Sequence, residues 1–444
     1  MTPREAARAI WQAALGAGEV TPLIAAALAR EGDRLRAGPL TLDVSRVRHV
    51  IVLGCGKASG AMACAVEGAL GEWITGGFVV VKDGYRVPTR VVEVAEAGHP
   101  VPDPRGLAAS SRLLALAREA RVEDLVVFLV SGGGSALTPA PSPPITLEEK
   151  QAVTRLLLAA GATIGELNAV RKHVSLLKGG QLARAAAPAR VLTLALSDVI
   201  GDPLDVIASG PTAPDPTTFG DALGVLRRRR VLDRIPAAVR ERLEAGLRGE
   251  VEETPKPGDP LFDRVTNLVI GNNTLIVDGA VAAARRLGYR SELVSRALEG
   301  EARKVARDLV ERARTLEPPA CLVAAGETTV TVRGSGRGGR CQEFALAAAL
   351  EIADDPALTV LAAGTDGTDG PTDAAGGLVD GTTVGKGRAA GLDAAEALAD
   401  NDAYGFLRES GDLVVTGPTN TNLLDLYIVL RSLGPGAQRV GEAL

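Results

Sequence analysis

A chain of 444 residues, 46% hydrophobic and 23% charged, holds enough apolar material for two or three soluble domains, and its net charge of −5 leaves no basic footprint for nucleic acid. The four cysteines (Cys55, Cys64, Cys321, Cys341) form no CxxC pair, and with three histidines in all they argue against a zinc site. No signal-peptide core opens the chain and no apolar run reaches about 18 residues, so a reduced, cytoplasmic setting with no membrane partner is expected.

Residues 3–16 and 22–31 read as amphipathic helices, the second with Thr21 as cap before Pro22. An alternation follows: strand 49–53, helix 57–70, strands 77–81 and 91–94, helix 106–120, strand 125–130. Next come a helix opened by the capping-box pattern Thr146 to Glu149, a helix over 168–184, and strand 191–196. Strands alternating with helices predict a doubly wound α/β sheet. Between about Asp215 and Pro260 the texture turns proline-rich, which marks a domain change. The Arg227–Arg230 run there suits the C-terminus of a helix over 221–226. The second half offers strand 267–270, a helix after Asn272, and strands at 320–324, 328–333, 358–362 and 425–430. The short turn between 320–324 and 328–333 suggests an antiparallel pair, hence a mixed sheet.

Five stretches carry chemistry. The run Leu125–Val130 is apolar throughout and stops at Ser131, Gly132, Gly133, Gly134 and Ser135, where bare backbone amides and two hydroxyls suit an anion. Gly54, Gly56 and Lys57 follow the strand 49–53 in a spacing that fits neither the dinucleotide nor the Walker fingerprint. Lys57 opposes the dipole of the helix it opens, unless an anion sits nearby. On a continuous helix Asn168, Arg171, Ser175 and Lys178 share one polar, cationic face, with His173 off it in a structural role. Ser197 and Asp198 end a strand where α/β sheets present ligand-contacting groups, and Asp202 and Asp205 follow. In the second half Gly338, Gly339 and Arg340 open a helix, and Asp366, Asp369 and Asp373 crowd a Gly/Thr loop that suits a hard cation. Cationic glycine loops beside carboxylates make a phosphoryl-transfer set.

Gly54-Cys-Gly-Lys57, Glu96–Asp103, Ser131–Ser135, Val170–His173, Ser197-Asp198 with Ile207–Thr212, Gly336–Arg340 and Gly364–Gly370 together resemble the class II glycerate kinase family, whose C-terminal part is the MOFRL domain. The resemblance implies ATP- and Mg²⁺-dependent phosphorylation of D-glycerate, usually to 2-phosphoglycerate. It implies an N-terminal Rossmann-like α/β/α sandwich over 1–240, with helices in 1–40 allowed to pack on the other domain. A smaller α/β domain with a mixed sheet fills 241–444, and the active site lies in the cleft between the two. Lys57, Arg340 and Asp198 are the expected catalytic residues. Gly54, Gly56, Ser131, Gly132, Gly133, Gly134, Ser135, Asn168, Arg171, Lys178, Asn272, Gly338, Gly339 and Glu343 are expected to bind glycerate or nucleotide, and Asp198, Asp366 and Asp369 the metal. One departure is Cys341, where the family is expected to carry Asn. A homodimer is left open. The competing readings are a nicotinamide-dependent hydroxypyruvate reductase and a non-catalytic phosphosugar-binding module.

Overall fold

The unbroken apolar runs become strands buried on both faces, and their order divides the chain in two. The computed structural model describes residues 1–433 and separates into a continuous unit, Val20–Ile270, and a discontinuous one, Met1–Glu19 with Gly271 onward. The 240/241 boundary expected from proline content therefore falls inside the N-terminal unit. Val239 and Leu243, on the helix Ala237–Leu247, pack beside Phe219 in a core of this unit. Thr254, in the proline-rich stretch, donates to buried Asp215 at 2.9 Å. Of the expected early helices only the first, α1 (Pro3–Ala17), joins the C-terminal unit.

In the N-terminal unit α2 (Val20–Ala27) stops short of the expected Glu31, because residues 29–43 form a small antiparallel sheet, β1 (Ala29–Glu31), β2 (Arg34–Ala37) and β3 (Leu40–Asp43). Gly32, with φ +58°, makes the first turn. The main sheet has six strands: β4 (Val50–Cys55), β5 (Ile74–Lys82), β6 (Val92–Ala97), β7 (Leu125–Val130), β8 (Arg190–Leu196) and β9 (Val265–Gly271), in the order β6-β5-β4-β7-β8-β9. The first five pair in parallel. All six residues of β7 are buried, as a central parallel strand covered by helices requires. Helix α3 (Ser59–Leu70) follows β4 and α4 (Pro104–Glu119) follows β6. In register, Cys55 lies beside Val130, and Val130 beside Ala195, so the loops leaving β4, β7 and β8 emerge together at one sheet edge.

After β7 come a single turn, α5 (Gly134–Leu137), then α6 (Leu147–Ala159) with the expected Thr146–Glu149 capping box. The helix expected over 168–184 is two: α7 (Ile164–His173) and α8 (Gln181–Ala186). Ser175 bridges to Pro141 instead of continuing the helix, and Gly179 and Gly180 take positive φ (60° and 79°), so the chain turns between them. Next is α9 (Phe219–Arg228), whose last turn holds Arg227 and Arg228 as expected, then α10 (Ala237–Leu247).

The C-terminal unit is a six-stranded mixed sheet: β10 (Arg290–Leu298), β11 (Ala320–Gly326), β12 (Leu358–Gly364), β13 (Gly376–Asp380), β14 (Leu413–Val414) and β15 (Asp425–Arg431), ordered β10-β11-β15-β12-β13-β14. Strand β15 runs antiparallel between β11 and β12, and Asp425 is in register with both Gly326 and Gly364. No strand forms over 328–333, because β10 and β15 occupy both edges of β11; Thr329 makes only an isolated bridge to Glu301. Strand β10, half-polar along its length, gave no apolar run to read. Helices α11 (Asn273–Arg286), α12 (Ala302–Thr315) and α13 (Arg340–Glu351) cover the sheet. Helix α1 packs on α11 so closely that a Cβ on Gly279 would lie 2.8 Å from the Ala17 methyl. Arg4 donates to Asp380 and Asp412, each at 2.8 Å. Among the described residues no helix is long and apolar enough to cross a membrane.

Two glycine substitutions test how tightly the β4 loop is built. Gly56 has φ +134°, and a Cβ there would lie 2.5 Å from the Ser131 carbonyl oxygen. Gly56→Ala is expected to cost at least about 2 kcal/mol in urea unfolding. Gly68→Ala, at an exposed position of α3 with nothing within 4 Å, is expected to gain about 0.5–1 kcal/mol.

Candidate functional site

The parallel register of β4 and β7 turns two separate sequence stretches into one cradle. Lys57 N–H donates to Gly132 O at 3.0 Å, and Ala58 N–H to Ser131 Oγ at 3.0 Å. Gly54 is there for packing, since a Cβ would meet Leu129 O at 2.6 Å. Gly133 is left-handed, with φ +85°, and its missing Cβ faces the His99 ring at 3.1 Å and Lys57 Cγ at 3.4 Å. A Cβ on Gly134 would lie 2.8 Å from Cys55 Sγ and 3.0 Å from the Ala208 methyl. Lys57 does not sit inside a helical turn as expected: α3 opens at Ser59. His99 was not singled out from sequence; its only signal was a place in the Glu96–Asp103 stretch, just past the end of β6.

Beyond this turn lies a cluster expected from sequence to share one polar, cationic helix face. The helix breaks at His173, yet the break folds Lys178 back onto the residues it was expected to accompany. Arg171 Nη2 donates to Ser135 Oγ. Lys178 Nζ donates to Ser135 O at 2.9 Å and Thr138 O at 3.2 Å. Ser209 Oγ lies 3.0 Å from Ser135 Oγ and donates to Asn168 Oδ1 at 2.9 Å. Lys150, another lysine in the group and unforeseen, donates to Pro139 O. Ser175 donates to Ala140 O at 3.4 Å and accepts from the Leu177 and Lys178 amides, so it shapes the turn.

Asn168, Lys150 and Lys178 are buried. Among the described residues no carboxylate pairs with the three cations, and each suffers for it. Burial, then Arg171, pulls the Lys178 ammonium down to about 7. Burial, then Lys178 and Arg171, holds Lys150 well below its usual range, and burial pulls Arg171 to about 10. Nearby Lys172 shows the ordinary arrangement: equally buried, it pairs with Asp205 at 3.1 Å and Asp215 at 3.3 Å. His173 is structural as expected, between Ala169 O at 2.7 Å and Glu253 at 3.1 Å. The segment that brings in Ser209 is strained. Ala208 and Ser209 both take positive φ, 49° and 64°, at a cost of about 1–3 kcal/mol each. Ser197 closes a local turn on Val199, and half-buried Asp198 follows it at the end of β8.

In the C-terminal unit the expected residues are largely engaged by the fold. Arg340 does open α13, but the anion that offsets the helix dipole is internal: its guanidinium forks onto Asp425, at 3.1 Å through Nη2 and closer through Nε, with Glu327 on Nη1. These carboxylates hold it charged. Asp369 was expected to bind metal. Its Oδ2 instead accepts the Gln342 N–H at 2.8 Å and so caps α13, while burial and then Asp425 push its carboxyl up to about 7. Gly339 is packed against it, and a Cβ on Gly370 would meet Gly338 O, so both glycines serve packing. Glu343 is buried between Arg303 (2.7 Å) and Asn401 (2.8 Å), which makes it a structural residue. Asn272 caps α11 by accepting the Thr274 N–H at 3.0 Å. Asp373 accepts from Tyr404 at 2.8 Å. Cys341, buried beside Asp425 and Asp369, stays a neutral thiol. Among the described residues no three His, Cys, Asp or Glu side chains group as metal ligands. Asp369, capped and partly protonated near neutrality, fits a metal poorly. Asp366, whose oxygens accept the Thr368 N–H at 2.9 Å and hydroxyl at 3.3 Å, and Asp198 keep the right chemistry.

The Asp369 assignment is testable by pH. Between the ordinary carboxyl value of 3.8 and about 7 the folded chain keeps a proton that the unfolded chain releases. Stability from this group therefore falls as pH rises through that window. Asp369→Asn keeps the acceptor for Gln342 and removes the charge. Melting curves should show it gaining on the parent protein as pH rises from about 4 to about 7, with no further gain above.

A domain of unknown function, DUF4147, matches residues 6–244, and the MOFRL family matches residues 320–425. The glycerate 2-kinase of Pyrococcus horikoshii is 44% identical over 389 residues, 86% of this chain and 87% of its own. The D-glycerate 2-kinase of Thermotoga maritima is 43% identical over 403 residues, 89% of this chain and 94% of its own. A crystal structure of glycerate kinase from Thermotoga maritima superimposes with a TM-score of 0.80 at 39% identity, covering 96% of this chain and 99% of that one.

Proposed function

The chain belongs to the glycerate 2-kinase family, and from that premise we propose that it transfers the γ-phosphoryl group of ATP to D-glycerate, forming 2-phosphoglycerate. The observation that carries this reading is the desolvated group of Lys150, Arg171 and Lys178, which has no carboxylate of its own beside a glycine turn flanked by Lys57. Such a group is expensive without an anionic ligand.

The proposed roles follow from charge and position. Lys57 neutralises charge on the transferred phosphoryl group, and the amides of the Ser131–Gly134 turn bind its oxygens. Asp198 accepts the proton of the attacking hydroxyl. Arg340 keeps its Asp425 fork and offers the phosphoryl the arm now on half-exposed Glu327. Mg²⁺, when bound, would spread the charge of the phosphate oxygens; Asp198 in the N-terminal unit and Asp366 in the C-terminal unit are each a carboxylate of the right chemistry to hold it. All four cysteines are unpaired, which supports a reducing, cytoplasmic setting.

The reductase reading is disfavoured. A dinucleotide would need a free acidic group after β5 for its ribose, and Asp83 there is gripped by Arg105 at 2.6 and 2.8 Å. The phosphosugar-module reading is disfavoured by the relatives, which are named as kinases.

Incubation with ATP, Mg²⁺ and D-glycerate, followed by ³¹P NMR, should show 2-phosphoglycerate accumulating; no phosphorylated product overturns the assignment. Lys57→Ala should lower kcat about 10²–10³-fold with an unchanged circular-dichroism spectrum.

A further inference from the structure

Within the N-terminal unit, the catalytic reading leaves three things unexplained at one place. Lys178 and Lys150 spend their hydrogen bonds on carbonyls alone, Ser135 O, Thr138 O and Pro139 O, and no carboxylate answers their charge. Asn168, 3% exposed, gives its Oδ1 to Ser209 but leaves its buried Nδ2 with no hydrogen-bond partner among the described residues. The chain also accepts left-handed backbone at Ala208 and Ser209 to set the Ser209 hydroxyl between Ser135 and Asn168. A fold that gives Lys172 two aspartates could have done the same here. Strain, an orphaned amide and unbalanced charge at one spot describe a receptor whose counter-charge arrives with a ligand.

We propose that this pocket is the seat of the substrate's carboxylate: Arg171 and Lys178 take its two oxygens, Lys150 adds charge from behind, and Asn168 Nδ2 with Ser209 Oγ holds the neighbouring hydroxyl. The proposal rests on the kinase reading for the identity of the acid, but not for the existence of the seat. It divides the ligand contacts. The Ser131–Gly134 turn and Lys57 serve the phosphoryl side, and the residues from Ser135 onward serve the acid. A carboxylate suits the place better than a phosphate chain. It is small and carries one charge into a place whose lysine walls are buried. A triphosphate would bring several charges and their hydration where there is no solvent to share them.

The seat has a second consequence. The groups facing the Lys178 ammonium are Arg171 from α7, Lys150 from α6 and the Cys55 thiol from β4, and the first two repel its charge. Near neutral pH the empty pocket holds Lys178 partly deprotonated. An arriving carboxylate favours the charged form, so above about pH 7 acid binding takes up a proton. Affinity for the acid therefore falls as pH rises through that region.

The test uses full-length Lys178→Met and Arg171→Met, with KM for D-glycerate and for ATP measured separately from about pH 6 to 9. Expected are a rise of about 10–100-fold in KM for D-glycerate, the worth of a lost charged hydrogen bond, and a KM for ATP within about threefold. In the parent protein KM for D-glycerate should climb above about pH 7, and in Lys178→Met that slope should vanish. Ligand-free Lys178→Met should melt no lower than the parent, since it sheds a desolvated charge. A raised KM for ATP with D-glycerate untouched would assign the pocket to phosphate and overturn the proposal. So would two unchanged KM values, or a melting temperature lowered by more than a few degrees. If the parent protein phosphorylates nothing, the kinase reading fails on its own and calorimetry decides the seat. Heat with D-glycerate or L-lactate, but none with inorganic phosphate, supports it; no heat with either acid overturns it.

Discussion

Two buried lysines and a half-buried arginine, with no carboxylate partner among the described residues, set the terms for the N-terminal unit. Lys150, Arg171 and Lys178 raise one another's cost, and burial adds more. Each such charge costs several kcal/mol unless paired, a large share of what a domain has to spare. The surrounding architecture explains why they stay. The parallel register of β4, β7 and β8 brings three loops to one edge, and close glycine packing at Gly54, Gly56 and Gly134 fixes the β4 and β7 loops against each other. A looser frame would let the lysines swing out to solvent. Stability is spent on a positive cluster that fits the proposed seat better than it fits a core.

The C-terminal unit uses its charges the other way, closing them on themselves. Asp425, at the start of a strand wedged between two antiparallel neighbours, holds the Arg340 fork and accepts from Tyr427 at 3.2 Å. Asp369 caps the helix that Arg340 opens. One aspartate thus balances the dipole that an arginine in the first turn would oppose, and another neutralises the arginine. An acidic loop that reads as a cation site is in large part a device for starting α13.

How far the residues could be read depended on whether their signal was local. Leu125–Val130 with its three glycines was legible because an all-apolar run and absent Cβ atoms dictate a central strand and a sharp turn without reference to anything else. The Thr146 capping box was legible for the same reason. Lys178 was half legible. Its association with Asn168 and Arg171 was correct, but through a chain reversal at Gly179 and Gly180 and not a shared helix face, so its burial was missed. Lys150 was not singled out, and Ser209 only as a member of the Ile207–Thr212 stretch, since a lysine in an amphipathic helix and a serine in a loop say nothing of their partners until the fold brings them together. The division at Ile270 was hidden because proline density marks irregular chain, and here irregular chain runs through the interior of a unit.

The first helix bears on how the molecule is made. Residues 20–270 are contiguous and carry every contact of their own sheet, so they can reach a native arrangement while the remainder is still being synthesised. Helix α1, made first, packs on α11, some 250 residues later in the chain, and Arg4 must wait longer still for Asp380 and Asp412. The amino-terminal segment, with its apolar face of Ala6, Ala7, Ile10, Trp11 and Ala14, therefore spends most of translation without its partner surface. Residues 1–19 thus leave the ribosome some 250 residues ahead of the surface they pack on.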